Sequence, residues 1–247
     1  MRAAARVVAE ADGNGRTALR VLKGEAPLLP RRTGPTEVHF VGGAAAPLGG
    51  DDLTMEIEVG PGAELTIRTV AASIALPNRF GDPSRLSVIV SVGEHGRLLW
   101  LPEPLIAAAR CRHTTVSTVD LDGTAELIWR EELVLGRHGE APGDVTLSTV
   151  VRRDGRSLYR SDVAGHAVPR RVLASVVSTC DHPPAATPTA AVMALAGGGT
   201  VATVLGGDLG ETRRVTDPLV TPPQCRSKAA VTAQASTAID SPLVRRA

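Results

Sequence analysis

Two carboxylates stand where apolar stretches end. Glu103 lies between Pro102 and Pro104 in RLLWLPEPLIAAAR, and Glu140 closes LVLGRHGE. Flanking prolines fix φ on either side and remove two backbone donors, so Glu103 is held stiffly in an apolar run. Such carboxylates could face a channel or an interface. They would hold a cation only transiently, because oxygen ligands without sulfur bind softer metals weakly. The plainer alternative is a pair of solvated loop carboxylates. Two Cys-x-His pairs, Cys111 with His113 and Cys180 with His182, add thiolate and imidazole, which suit zinc, nickel or copper. Positions i and i+2 share a strand face, so the two pairs could meet. No Cys-x-x-Cys or His-x-x-x-His accompanies them, and they rank as weaker metal candidates, with a small buried Cys111 and a surface His113 as the simpler expectation. Asp51 and Asp52 could form an acid–base pair. In Gly49-Gly50-Asp51 turn chemistry is the better reading, since glycines reach angles closed to other residues and aspartate caps nearby N–H groups.

Recognised catalytic signatures are missing. The chain contains no Gly-x-Ser-x-Gly elbow, no phosphate loop and no His-Glu-x-x-His, so nothing in it is a specific enzyme signal.

The elements that position these residues are strands. Leu53, Met55, Ile57 and Val59 alternate with Thr54, Glu56 and Glu58, the period of a half-buried strand. Gly60-Pro61-Gly62 breaks the run, and Leu65 and Ile67 resume it. The same strand, glycine turn, strand unit recurs around Gly96, Gly123 and Gly155. Each reads locally as a hairpin signal. Four units at uneven but similar spacing predict an all-β fold of stacked, β-helix or solenoid-like strands. Ala71, Ala72 and Ser73 form a small-residue run that marks close packing or a passage kept open. The expected organisation is a single domain, with a β-rich core over 1–180 and a short helical or irregular segment over 181–247 packed on it. Within that segment 208–214 and 229–238 are helix candidates, and 183–189 is proline-rich.

Composition narrows the function classes. The 247 residues suffice for one sizeable core, and a net charge of +1 gives no nucleic-acid footprint. Aromatic content of 2% leaves no platform for stacking sugars or bases. Three cysteines, an odd number, and no secretory apolar region favour a reducing cytoplasm. No run of about 18 apolar residues predicts a membrane span.

Four motifs occur in order: PLGGDDL from Pro47, VGPGAEL from Val59, LWLPEPLI from Leu99 and ELVLGRHGE from Glu132. The ordered set resembles the urease accessory protein D family, called H in some bacteria, over roughly residues 10–165. The resemblance implies a β-helix-like fold with two helices near the C-terminus and a non-enzymatic role. It implies as partners the urease apoprotein and the F and G accessory proteins, the last a nickel-carrying GTPase. No tightly bound cofactor is implied, only a transient nickel ion on its way through an internal channel. Glu103 and Glu140 match family carboxylates and become candidate passage residues, while Asp51 matches a structural turn. Two other classes compete: a β-solenoid carbohydrate-active enzyme using Asp51, Asp52 or Glu103, and a stand-alone Cys/His metal-binding protein.

Overall fold

The computed structural model describes residues 1–180 and 189–220. The chain winds between two facing sheets. Strand β1 (Arg2–Ala11) starts the first sheet, an arm of β2 (Thr17–Gly24) and β3 (Leu28–Arg32) follows, and β4 (Glu37–Gly42) lies in the second. Thereafter the strands alternate between sheets. β5 (Asp52–Val59), β8 (Ser84–Val92), β11 (Arg112–Leu121) and β13 (Asp144–Arg153) stack in parallel beside β1. β6 (Glu64–Thr69), β9 (Arg97–Leu101) and β12 (Glu126–Leu135) stack in parallel beside β4. Two short strands, β7 (Ser73–Ala75) and β10 (Leu105–Ala107), extend the second sheet, β10 pairing with both β7 and β12. Antiparallel strands cap the far end: β14 (Arg156–Ala164) on β13, then β15 (Val172–Ser178), β17 (Thr200–Gly206) and β16 (Ala190–Ala194) in order beyond β12. Helix α1 (Leu209–Val220) closes the described chain. This is the solenoid-like β-fold that the alternating units predict.

Most of the glycine turns do something other than make hairpins. β5 and β6, joined through Gly60–Gly62, do not pair with each other; β5 pairs with β1 and β8, and β6 with β4 and β9. The turns at Gly93–Gly96 and around Gly123 behave likewise, carrying the chain across the core from one sheet to the other. The physical reason is burial. Leu53, Met55, Ile57 and Val59 face Leu65 and Ile67 across the interior, which two strands of one hairpin sheet could not arrange. Among the described residues antiparallel hairpins form at Asp154-Gly155, between β13 and β14, at the 12–16 turn, between β1 and β2, at the 33–36 turn, between β3 and β4, and at the 195–199 turn, between β16 and β17.

The C-terminal part also holds more strand than expected. β16 and β17 add to the second sheet through β15, so residues 190–206 continue the core domain. The β-branched run Thr200-Val201-Ala202-Thr203-Val204 favours that outcome. α1 is longer than the 208–214 expectation and begins at a capping arrangement: Glu211 N–H donates to Asp208 Oδ1 at 2.9 Å, and Gly207 N–H to Glu211 Oε2 at 2.7 Å. The 229–238 helix candidate lies outside the described residues.

All coils return at one end, through connections 43–51, 76–83, 108–111, 136–143 and 165–171, while the tight glycine turns occupy the other. The first of these loops is locked to the second. Gly49 N–H donates to the Leu76 carbonyl at 2.9 Å, and a Cβ on Gly49 would stand 2.7 Å from both the Asn78 nitrogen and the Asp82 carbonyl oxygen. Gly50 holds φ +86°. Both contacts of that Cβ are backbone, so Gly49→Ala is expected to lower stability by about 1–3 kcal/mol through overpacking. A denaturant midpoint shift checks it; an unchanged midpoint would mean the loop relaxes freely.

Candidate functional site

The second sheet breaks at Leu-Pro-Glu-Pro. β12 pairs with β9 up to Trp129↔Trp100 and with β10 from Leu133↔Leu105. Between those pairs the β9–β10 side carries one residue more than β12, and Pro102 and Pro104 have no N–H to offer the ladder. Opposite this break β12 carries Arg130, Glu131 and Glu132 in succession. A strand sends consecutive side chains to opposite faces, so the three charges divide. Arg130 and Glu132 point outward beneath α1, and Glu131 points into the interior.

On the outer face the charges form one network. Arg213 of α1 donates to both Glu132 oxygens, through Nη2 to Oε2 at 2.6 Å and through Nε to Oε1 at 3.0 Å. The same Nη2 reaches Glu103 Oε2 at 2.9 Å. Arg130 donates to Asp217 Oδ1 at 3.1 Å and approaches the Pro102 carbonyl at 3.5 Å. The Glu132 side chain is 0% exposed. Its hydrogen bonds, offset in part by burial, raise the Arg213 pKa, with Glu103 adding to the rise. Glu103 thus anchors the helix on the outside of the sheet, and its own N–H is fixed by Thr69 Oγ1 at 2.9 Å. Leu99, Leu101, Ile128 and Val176 pack beneath the same helix, with Leu219 and Val220 against them.

On the inner face Glu131 lies in a belt of polar side chains. Thr149 Oγ1 donates to the carboxylate at 2.8 and 3.0 Å, and Ser117 Oγ reaches it at 3.5 Å. Register explains the grouping. Ser117, Thr149 and Ser161 occupy one row across β11, β13 and β14. Glu131, Ser175 and Thr203 occupy one row across β12, β15 and β17. Glu131, Tyr159, Ser161, Ser175 and Thr203 line a cavity of about 80 Å³. Desolvation raises the Glu131 pKa, opposed by Thr149, Trp129 and Ser117. Trp129 Nε1 lies toward this carboxylate without closing a well-formed hydrogen bond, while its ring stacks on Trp100 at 4.8 Å. The belt separates the main core, with Leu127 and Trp129, from a second apolar cluster with Leu133 and Leu135. A wider cleft of about 430 Å³ enters the interior at the looped end, lined by Ala46, Pro47, Ala71, Ala72 and Ser73 and reaching Met55 and Leu86. The small-residue run lines the wall of this cleft.

The other sequence candidates are dispersed. Glu140 sits in the 136–143 loop, clamped by Arg137 through Nε to Oε2 at 2.8 Å, Nη2 to Oε1 at 2.8 Å and the backbone N–H to Oε2 at 3.1 Å. Those bonds, the side-chain ones first, hold its pKa down to about 2. Cys111 is buried in the second cluster, and desolvation, with Asp144 and Glu140 nearby, pushes its thiol up to about 11. His113 is buried rather than on the surface; Nδ1 meets Ser84 Oγ at 2.9 Å and Nε2 meets Thr115 Oγ1 at 3.0 Å, so neither nitrogen is open to a metal. Cys180 lies beyond β15 at the tight-turn end, beside Arg97, so the two cysteines are at opposite ends of the solenoid. His182 lies outside the described residues. Among the described residues no group of three or more His, Cys, Asp or Glu is placed to hold a metal ion. Asp51 is buried, accepting from the Leu48 N–H at 2.8 Å and the Met1 amine at 2.6 Å, whereas Asp52 is exposed beside Arg2. They make no acid–base pair.

Comparison with known proteins now settles the family. A family model described as UreD urease accessory protein matches residues 1–238. The chain belongs to that family. A urease accessory protein UreD of Streptomyces avermitilis is 42% identical over 168 residues, covering 66% of this chain and 67% of its own length. One from Streptomyces coelicolor is 37% identical over 240 residues, covering 88% and 94%. One from Streptomyces griseus, UreD 3, is 39% identical over 234 residues, covering 84% and 91%. The UreD likeness therefore runs well past residue 165, through β15, β17 and α1. No helix among the described residues is long and apolar enough to cross a membrane.

Sequence reading missed Glu131, yet a signal was there. Each of Glu131, Thr149, Ser161, Ser175 and Thr203 is a lone polar residue with apolar neighbours two positions away on both sides.

Two outcomes follow. Arg213→Ala strips the buried Glu132 of its main partner and is expected to cost about 3 kcal/mol, whereas Glu103→Gln, at a partly exposed site, should cost under about 1 kcal/mol; chemical denaturation separates them. Burial lowers the His113 pKa from 6.5 to about 4. The unfolded chain therefore binds the extra proton first, and stability present above pH 6.5 falls as pH drops toward 4, by up to roughly 3 kcal/mol. Denaturant midpoints at pH 7 and 5 should show that loss, and His113→Asn should flatten it.

Proposed function

We propose that this UreD chain is a non-enzymatic maturation chaperone. It scaffolds the F and G accessory proteins on the urease apoprotein in the cytoplasm and helps pass nickel toward the urease active site. The observation that carries this reading is the interior belt centred on Glu131. A single carboxylate among hydroxyls, with no thiolate or imidazole beside it among the described residues, binds a borderline cation weakly enough to let it go. A carrier needs that property, and a tight Cys/His cage would forfeit it.

Glu103 and Glu140 fit the same scheme as outer stations. Each is already paired with an arginine, so a cation must displace a guanidinium to bind there, and residence is brief. In this reading nickel is cargo, with no tightly held cofactor. The carbohydrate-enzyme reading has little support: Asp51 is committed to a turn and Glu103 to a helix anchor. A stand-alone metal-binding role is no better supported, since both nitrogens of His113 are engaged.

The test is urease activation in a host carrying the urease subunits and the F and G proteins, scored beside co-purification with urease. Glu131→Gln keeps shape and removes charge; it is expected to bind urease normally and to activate it about tenfold less, the usual scale for losing a ligand-supporting group. Glu103→Ala/Glu140→Ala should bind and activate poorly too. Full activation by Glu131→Gln would remove the belt from the route, and a native chain that neither binds nor activates would remove the function.

A further inference from the structure

Helix α1 is fastened to the solenoid by a different kind of contact from the strands. β8 and β11 each pair along both sides. No backbone hydrogen bond joins α1 to a strand among the described residues, although the helix lies across β12, β15 and β17. The two side chains it buries completely are Thr212 and Thr216. Their hydroxyls turn back on the helix, Thr212 Oγ1 donating to the Leu209 carbonyl at 3.1 Å and Thr216 Oγ1 to the Thr212 carbonyl at 3.2 Å. The apolar Leu209, Val215, Leu219 and Val220 are only partly buried. Pro218, inside the helix, offers no N–H to the preceding turn. Apolar burial therefore contributes little here, and the grip falls to charge: Arg213 on Glu132 and Glu103, and Arg130 on Asp217.

A grip of that kind releases more easily than its buried charges suggest. Deleting one partner strands the other inside the protein, but lifting the helix returns both to water. Glu132 and Arg130 point outward, and Arg130 Nε has no hydrogen-bond partner among the described residues even with α1 in place. Asp217 is 57% exposed, and Arg213 and Glu103 are partly exposed, so salt screens these pairs. The parts also divide cleanly. Both carboxylates stay with the sheet, Glu132 in β12 and Glu103 tied through its N–H to Thr69 Oγ1 at 2.9 Å. The guanidinium leaves with the helix. The apolar strip of Leu99, Leu101, Ile128 and Val176 that opening uncovers draws the helix back.

We propose that α1 is a strap: it lifts from the second sheet as a unit while the solenoid stays folded, and when closed it keeps cations off Glu103. The second half rests on the reading of Glu103 as an outer station for nickel given above; the motion itself does not. Closed, Glu103 shares Arg213 Nη2 with Glu132. Open, it is an unpaired carboxylate on a stiff loop. Helix and cation thus compete for one side chain, and each weakens the hold of the other to the same degree.

Hydrogen exchange followed by mass spectrometry on the purified full chain tests the motion. Amides of 209–220 should be protected roughly a hundredfold less than those of β8 and β11, the mark of opening below global unfolding. Raising salt from about 50 to 500 mM should speed their exchange about threefold and leave the strands unchanged. Arg213→Ala should speed it by tenfold or so, and Arg213→Lys, which keeps the charge but loses the two-pronged fork, by less. Calorimetric titration with nickel chloride tests the gate. A site available for only part of the time binds more weakly by that fraction, so Arg213→Ala should take nickel on the order of tenfold more tightly, and adding Glu103→Gln should remove the gain. Protection over 209–220 equal to that of the strands would overturn the strap, as would strands and helix loosening together in both Arg213 variants. Unchanged nickel affinity in Arg213→Ala, or a gain that survives Glu103→Gln, would overturn the gate. Urease activation by the native chain is scored separately: its failure would remove the function and leave the strap standing on the exchange result.

Discussion

Three consecutive charges on one strand cannot all face the same way. That constraint, acting at Arg130-Glu131-Glu132 opposite the proline break, shapes both faces of the second sheet. Outside, Glu132 is fully buried and needs a cation with matching geometry; Arg213 supplies a two-pronged one and thereby fixes where α1 lies. Inside, Glu131 has no cation beside it among the described residues and is satisfied by hydroxyls, which places Ser117 and Thr149 on the facing sheet. The helix and the polar belt are thus two consequences of one strand segment. Regular β9–β10 pairing across the break would leave no extra residue to bring Glu103 round to Arg213.

The parallel stack sets the remaining geometry. Identical register from coil to coil turns a residue type that recurs at one position into a row. Apolar recurrence toward the tight turns builds the main core from Val59, Val92 and Leu121. Polar recurrence nearer the looped end builds the belt. A cavity persists there because short hydroxyl side chains do not fill the width between sheets that Leu and Trp fill elsewhere, and a polar space of this kind is stable when its walls can hydrogen-bond water.

Strand identity was legible in the sequence because burial on one face writes itself as alternation, clearest over Leu53–Val59 and Val145–Val151. Sheet membership was not. A glycine turn that reverses a hairpin and one that carries the chain between sheets use the same residues, and the difference lies in partners a whole coil away. The family motifs picked out Glu103 and Glu140, both on loops where motifs are compact. They passed over Glu131, whose partners Thr149, Ser175 and Thr203 are spread over more than fifty residues and meet only through register. His113 reads as a ligand because imidazole is a good donor, but burial and two hydroxyl partners make it a neutral core residue. The C-terminal strands were obscured by their short length and by the proline-rich stretch before them.

Withdrawing a lone acid from bulk water is costly unless the acid gives up its charge or gains a partner. Around Glu131 the desolvation that raises its pKa and the hydroxyls that lower it pull in opposite directions, so the group stands nearer to exchanging its proton than an ordinary surface glutamate does. A cation arriving in the belt would supply the missing charge and take the proton's place; a proton returning would release it. Affinity at such a station is limited by that exchange. A second carboxylate in the belt would stabilise the bound cation and so oppose its departure. On the proposed reading one acid among hydroxyls suits transit better than storage, and the arginine clamps on Glu103 and Glu140 would impose the same limit by a different charge.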